Sequence, residues 1–275
     1  MAADPDPADF VRLLEAPLRR AASLVRSLEG RVVNSPKVLE ENIAKQALTA
    51  ADTQAQECLL EALAEHFPGV ALAAEEDTPR VARFATESEA VVVIDPIDGT
   101  LHSYLEGHGP YAVIVGLVLR GRYEAALLAL PREGLLFGAH RGGGAFSARA
   151  GGPLRPVRAS ADGDRVLISH GTPAAAAEAV ATRGFEVVRA SGGAVSVAPL
   201  VRGVRAGLRH GSSPIGISIR CRVGALIARE AGAHLQSTRG APFPEDDTTP
   251  SPDLLVSAEE ADLTWLAEAL KAQAK

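Results

Sequence analysis

Apolar residues recur at helical spacing over residues 9–29, where Phe10, Leu13, Leu14, Leu18, Ala21, Leu24, Val25 and Leu28 share one stripe. Asp9 is placed to cap this helix and Pro17 to bend it. The spacing predicts a second amphipathic helix over 50–66, with Ala51, Ala55, Leu59, Ala62 and Leu63 on one face and Phe67-Pro68-Gly69 as its stop. The period then changes. Val70–Ala74 and Val91–Ile94 are short apolar runs that read as buried strands. Tyr111–Leu119, Tyr123–Leu130 and Gly134–His140 are three strand-like runs separated by turn signals at Arg120-Gly121-Arg122 and Pro131-Arg132-Glu133. They predict an antiparallel meander.

The Gly/Pro-rich stretch Ser147–Pro156 reads as a joint. It divides the chain into residues 1–150, an N-terminal α+β half, and 151–275, a C-terminal α/β half. Beyond it strands and helices alternate. Strands are expected at Arg165–Ser169, Phe185–Arg189, Val204–Leu208, His234–Ser237 and Leu254–Ser257. Helices are expected at Pro173–Thr182, Gly193–Arg202, Arg222–Ala231 and Ala258–Ala272. The pattern is an α/β layered one with two sheet regions.

Composition narrows the class. Of 275 residues, 47% are hydrophobic and 23% charged, so the chain can bury a core and is not a disordered one. The formal net charge of −6 argues against a general binder of nucleic-acid polymers, which needs a basic face. Two cysteines, Cys58 and Cys221, cannot build a disulfide framework or a zinc site, and read as reduced, buried residues. The N-terminus has no apolar run of the signal-peptide kind, and the longest apolar run, Tyr111–Leu119, is too short to span a bilayer. The expectation is a cytoplasmic protein without a membrane partner.

The densest chemical signal is Val91-Val92-Val93-Ile94-Asp95-Pro96-Ile97-Asp98-Gly99-Thr100. A buried strand delivers Asp95, Pro96 turns the chain, and Asp98 follows three residues on. Carboxylates this close repel unless a cation lies between them. Hard divalent ions such as Mg²⁺ favour such an oxygen site, completed by water and phosphate. Asp98-Gly99-Thr100 also reads as a helix opening whose free N–H groups face a phosphate. Ala74-Glu75-Glu76-Asp77 adds three carboxylates after the preceding strand. In Leu48-Thr49-Ala50-Ala51-Asp52, Thr49 caps the helix that Asp52 joins. Taken singly, each piece also reads as an ordinary acidic turn, a solvated loop or a good helix start.

In this order the pieces resemble the inositol monophosphatase superfamily of metal-dependent phosphomonoesterases, which includes members similar to 3′(2′),5′-bisphosphate nucleotidase. The match runs through Leu48–Asp52, Ala74-Glu75-Glu76, Asp95–Thr100, the Arg141–Phe146 turn, and Ile219–Gly224 continuing to Glu230-Ala231-Gly232-Ala233. It spans roughly residues 10–270. The resemblance implies an α-β-α-β-α sandwich of the sugar-phosphatase kind with the site between its halves. It implies that Glu75, Asp95 and the main-chain carbonyl of Ile97 hold a first Mg²⁺, and that Asp95 and Asp98 contribute to a second. Asp52 and Thr100 would orient the attacking water, Gly99 and Thr100 would offer N–H groups to the phosphate, and Glu76 would stand behind the ligands. The implied activity is hydrolysis of a phosphomonoester of a small metabolite, a sugar or polyol phosphate or a nucleotide 3′-phosphate. Relatives often form dimers, so a homodimer is a plausible assembly.

The chain departs from the pattern at one ligand of the second metal. The aspartate expected ten residues before Glu230 is Arg220, and a guanidinium cannot bind a cation. Three readings follow. Arg220 replaces the second metal's charge and holds the substrate phosphate; or activity is lost and the protein only binds a phosphorylated ligand; or Arg220 points elsewhere into a surface ion pair. The family's substrate-contacting glutamate falls, by count, at Ser213, which argues against inositol, and the aspartate that opens its D-L-V-T segment is Gln46. Arg202, Arg205, Arg209, Arg220 and Arg222 form a cluster suited to an anionic substrate, though several read equally as solvated. His102, His108 and His210 lie near the expected site and read as ordinary loop histidines.

Overall fold

The computed structural model describes residues 4–37, 48–149, 151–211 and 216–271. Gln46 and Ser213 lie outside them. Helix α1 spans Pro7–Leu28 and runs through Pro17. Its cap is Asp6, not Asp9: the Asp6 carboxylate accepts the Asp9 N–H at 2.8 Å. Pro7 explains the shift, because a proline is pre-shaped for the first helical position and has no N–H to leave unpaired. Helix α2 spans Ala50–His66 and opens with a reciprocal capping box between Thr49 and Asp52.

Seven strands form the first sheet in sequential order: β1 (Ala71–Ala73), β2 (Ala90–Asp98), β3 (Ala112–Leu119), β4 (Arg122–Leu130), β5 (Leu135–His140), β6 (Gly144–Arg149) and β7 (Arg155–Val157). β1 and β2 are parallel, and every later pair is antiparallel. The meander is therefore as expected, but the Ser147–Pro156 stretch is not a free joint. It completes β6 and supplies β7, and the chain leaves the sheet only after Val157. Short strands carrying arginine, glycine and proline at a sheet edge lack the apolar alternation that marks a strand in sequence.

The second sheet has the order β11-β12-β10-β8-β9, built from β8 (Gly163–Ser169), β9 (Glu186–Ala190), β10 (Gly203–His210), β11 (His234–Gln236) and β12 (Asp253–Ser257). β8, β9 and β10 are parallel. The helices of this half are α3 (Ala174–Thr182), α4 (Gly192–Ser196), α5 (Ile219–Glu230) and α6 (Glu260–Lys271). The single helix expected over Gly193–Arg202 is instead α4 followed by a 3₁₀ turn at Ala198–Leu200. Pro199 has no N–H to continue the α-helical ladder. α5 begins three residues earlier than expected, which puts Arg220 in its first turn.

Strand alternation builds the layers. Val92, Ile94, Val113, Val115 and Leu117 face α1 and α2, packing on Phe10, Leu14, Leu59 and Leu63. Val93, Ile114, Ala126 and Leu128 face the other way, onto Val223 and Ile227 of α5 and Ala194 and Val195 of α4. The outer face of the second sheet, with Val166, Ile168, Ala206, Leu208 and Leu255, is closed by Val180 of α3 and by Leu263 and Leu266 of α6. The result is an α-β-α-β-α sandwich. Each large side chain buried here stabilises the fold by roughly 1.5–3 kcal/mol. This layering brings the ends of β1, β2, β8 and β10 to one cleft, together with the first turns of α2, α4 and α5.

Candidate active site

The capping box of α2 fixes Asp52. Its Oδ2 accepts from the Thr49 N–H at 2.8 Å and the Thr49 hydroxyl at 2.7 Å. Its Oδ1 accepts from the Thr100 hydroxyl at 3.1 Å, and the same hydroxyl lies 2.8 Å from the Ile97 carbonyl oxygen. The four are therefore joined into one buried network. Burial pushes the Asp52 carboxyl up to about 6, against the pull of the Thr49 hydrogen bonds and with a smaller upward push from Glu76.

One turn further along α2, Gln56 does a job the sequence reading missed. Its amide donates to the Glu76 carbonyl at 2.5 Å and its Oε1 accepts the Glu76 N–H at 3.0 Å. Asp52 and Gln56 share a helix face at i, i+4 spacing, and that spacing was the available clue. Gln56 thereby sets the loop that carries Glu75. Lys37 was also missed. Its Nζ lies 2.6 Å from Glu76 and 3.9 Å from Glu75. A lone lysine far upstream carries no local signal.

β2 holds Asp95 and then loses register before Asp98. Asp95 is buried and lies among Glu75, Asp98 and Arg220. Its carboxyl is driven well above the usual carboxylate range, first by burial and then by the negative charges of Glu75 and Asp98, while Arg220 acts in the opposite sense. Glu75 Oε2 and Asp95 Oδ1 are buried and accept no hydrogen bond among the described residues. Asp98 is turned aside: its Oδ2 accepts the Gly193 N–H of α4 at 2.5 Å, and its Oδ1 is 3.8 Å from the Cys221 thiol. Among the described residues no three His, Cys, Asp or Glu side chains already meet in a metal-ligand cluster. The donor set nevertheless suits a hard cation, because two buried oxygens lack partners and like charges crowd them.

Gly99 has φ +95°, and a Cβ there would come within 2.7 Å of the Ser191 Cβ. Glycine thus permits both the left-handed turn and the close approach of the two halves. Thr100–Leu105 then forms a wide π-helical turn, with Tyr104 N–H donating to the Gly99 carbonyl. A helix does open after Asp98 as expected, but in this wider form.

Among the described residues Arg220 makes no surface ion pair, contrary to the third of its readings. Its Nε donates to the Ile94 carbonyl at 3.2 Å and its Nη2 to the Ala74 carbonyl at 3.0 Å. The guanidinium is thus forked across the ends of β1 and β2, where its charge acts on Asp95 and Glu76. The other arginines separate. Arg205 pairs with Asp262 and Arg222 donates to the Asp246 carbonyl. Arg202 is exposed, and only Arg209 joins Arg220 at the cleft. Burial opposes the Arg209 charge, but Cys221, Asp98 and Asp95 hold it in place.

His102 and His108 approach Glu106 at 2.8 and 3.4 Å. The His102 ring lies 4.9 Å from that of His170, whose Nε2 is 2.9 Å from the Ser103 hydroxyl. His170 was not singled out in sequence; it sits one residue past β8 and links the second half to the π-turn. Of the two cysteines, Cys221 is buried and Cys58 half-buried, and both are free thiols.

The family model described as the inositol monophosphatase family matches residues 12–275. The chain belongs to the inositol monophosphatase family. By family it is a phosphoric monoester hydrolase of that type. It is 28% identical over 261 residues to an inositol-1-monophosphatase of Mycobacterium leprae, covering 85% of each chain. It is 32% identical over 99 residues to a histidinol-phosphatase of Chlorobaculum parvum, where the match spans 36% of each protein. The solved IMPase of Thermotoga maritima superposes with a TM-score of 0.72 at 19% identity, covering 97% of this chain and all of the other, and this supports the layered fold. No helix among the described residues is long and apolar enough to cross a membrane.

Proposed function

We propose that this inositol monophosphatase family member is a Mg²⁺-dependent phosphatase that hydrolyses a phosphomonoester of a small metabolite. The observation that carries the reading is the pair of buried, unpartnered oxygens, Glu75 Oε2 and Asp95 Oδ1, beside the Asp52–Thr100 hydrogen bond. Mg²⁺ bound at Glu75, Asp95 and the Ile97 carbonyl, with Asp98 alongside, would supply Lewis-acid polarisation of the phosphoryl group and a water of lowered pKa. Family members are generally metal-dependent, in keeping with this.

The chain's own residues do the rest. Asp52, held by Thr49, accepts a proton through the Thr100 hydroxyl from a water placed against it. The N–H groups of Gly99 and Thr100 face the phosphate. Arg220 keeps Nη1 available after its two carbonyl contacts, and Nη1 donates to a phosphate oxygen as charge builds there. The products are an alcohol and inorganic phosphate. The carboxylates Asp52, Glu75, Glu76, Asp95 and Asp98 face the cations Lys37, Arg209 and Arg220. Arg220 sets a positive charge against these carboxylates at the position where the family pattern has a ligand of a second ion.

Phosphate release measured across a panel of sugar, polyol and nucleotide monophosphates, with and without Mg²⁺, tests this. Release should require Mg²⁺ and disappear in Asp95→Asn. Ligand-induced thermal stabilisation without any turnover would instead make the protein a binding member of the family, and activity unchanged in Asp95→Asn would remove the assigned site.

A further inference from the structure

The register of the first sheet gathers residues that the catalytic cleft does not use. Arg149 lies opposite Leu135, Ser147 opposite Phe137, and Arg155 opposite Ser147. Directly paired residues share a sheet face, so these side chains point the same way. Phe137 packs into the core between the two sheets, which fixes that face as the inner one. A cavity of about 690 Å³ opens there, closed on its other side by Pro199–Val204 at the start of β10. Arg158 and Asp162, on the segment that crosses from β7 to β8, complete its rim. The cavity thus stands at the amino ends of β8 and β10, whereas the catalytic cleft lies at their carboxyl ends. Gly203 and His210, the ends of β10, are about 23 Å apart at roughly 3.3 Å per residue.

Hydrogen bonds to the backbone hold its walls in place. The Ser160 N–H donates to the Pro199 carbonyl at 2.8 Å and the Ala159 N–H to the Ala231 carbonyl at 2.9 Å. Arg19 donates to the Gly152 carbonyl at 2.7 Å, and Arg165 to the carbonyls of Arg202 and Gly203. Four other arginines, Arg149, Arg155, Arg158 and Arg202, line the cavity, and all four are exposed. Among the described residues none of these four pairs with a carboxylate. Asp162 is the lining acid, and its Oδ2 accepts the Ser160 hydroxyl at 2.9 Å. Four like charges around one concavity repel, and its low-dielectric walls focus their potential. Pro153, Leu200 and Val201 add an apolar wall.

We propose that this cavity is a second, non-catalytic binding site, and that its ligand is an oligophosphate, free or carried on a nucleoside. The volume lies within the range of roughly 300–1,000 Å³ that small-ligand pockets occupy. Guanidinium forks match phosphate oxygens in pairs, and a short phosphate chain presents enough oxygens to meet several arginines at once. The apolar wall offers a surface to a nucleoside. The site is independent of the phosphatase reading, because no residue of the catalytic cleft lines it.

Isothermal titration of the metal-free protein with tripolyphosphate, ATP, orthophosphate and citrate tests this. Tripolyphosphate or ATP should bind at one site per chain, at least about tenfold tighter than orthophosphate, and the tighter of the two tells a free chain from a nucleoside-borne one. Arg155→Ala and Arg202→Ala should each weaken that binding by about tenfold, the loss of one charged contact. Both side chains are exposed and unpaired among the described residues, so the fold should hold. Arg83→Ala removes an exposed cation beside β1, at the opposite edge of the first sheet, and should leave the affinity unchanged. Absence of binding overturns the proposal, as does affinity that survives in both cavity variants. An equal loss in Arg83→Ala reduces the effect to bulk charge and overturns it too. Citrate bound as tightly as tripolyphosphate overturns the assignment to phosphate.

Discussion

Arg220 Nε lies 3.2 Å from the carbonyl oxygen of Ile94, the residue immediately before Asp95. The residue that stands in the place of an expected metal ligand thus grips the backbone of the strand that delivers another. Together with the Nη2 bond to Ala74, it clamps the first turn of α5 to the ends of β1 and β2. Arg220→Ala should lower stability by about 1–3 kcal/mol, since two part-buried carbonyl contacts lose their charged donors. Arg220→Lys should restore little of this, because an ammonium cannot fork across two strands. Denaturant unfolding of the three proteins checks this, and wild-type midpoints in both variants would show that the clamp carries no load.

The arginine at position 220 gives a separate expectation. Wild type should bind one Mg²⁺ or Mn²⁺ per chain in the micromolar-to-millimolar range, while Arg220→Asp, which exchanges a cation for a carboxylate, should bind a further one. Isothermal titration with each ion reads the stoichiometry without reference to activity. Two or more ions bound tightly by wild type would contradict the substitution of charge by Arg220.

Asp52 sets the acid side of the activity profile. Its carboxyl is pushed up to about 6 by burial, so below that pH it carries a proton and cannot accept another. The rate should therefore rise with pH through about 6 and level off above it. Asp52→Asn should lose about 100-fold or more in kcat, the usual contribution of a positioned base. An acid limb that persists unchanged in whatever activity Asp52→Asn retains would assign it to another group.

His170 sets a different pH dependence, one of stability. Burial, then the charges of His102 and Arg189, lower its pKa from 6.5 to about 4. Between these values the unfolded chain binds a proton that the folded one refuses, so folding stability falls as pH drops below about 6.5. For a half-buried ring the loss should be about 1–2 kcal/mol after solvent screening. His170→Gln should flatten the fall in melting temperature between pH 7.5 and pH 4.5. An identical fall in wild type and variant would place the acid sensitivity elsewhere.

Much of the first sheet was legible because its strands are long apolar runs broken by glycine and charged turns, as in Ala112–Leu119 and Arg122–Leu130. β6 and β7 were not, because Ser147, Arg149, Arg155 and Pro156 carry turn chemistry while their backbones complete a sheet edge. At the site, Asp52, Asp95, Asp98 and Thr100 were visible because each lies in a short motif whose neighbours explain it. Gln56 and Lys37 were hidden, since each acts on Glu76 across 20 or more positions of chain.

By itself the sequence determined most of the long helices and apolar strands, that acidic residues follow β1 and close β2, and that one of the expected acids is a base. These are local properties, written in periodicity, capping and spacing within a few residues. Only the tertiary structure decided what the two arginines do. Arg209 and Arg220 are eleven residues apart and look alike in a basic cluster. One is spent on the carbonyls of Ala74 and Ile94, and the other is left at Asp98 with a buried nitrogen unpaired. That difference is a matter of which carbonyls and carboxylates lie within 3 Å or so after two sheets have packed, and hydrogen bonding at that range depends on distances no linear spacing encodes.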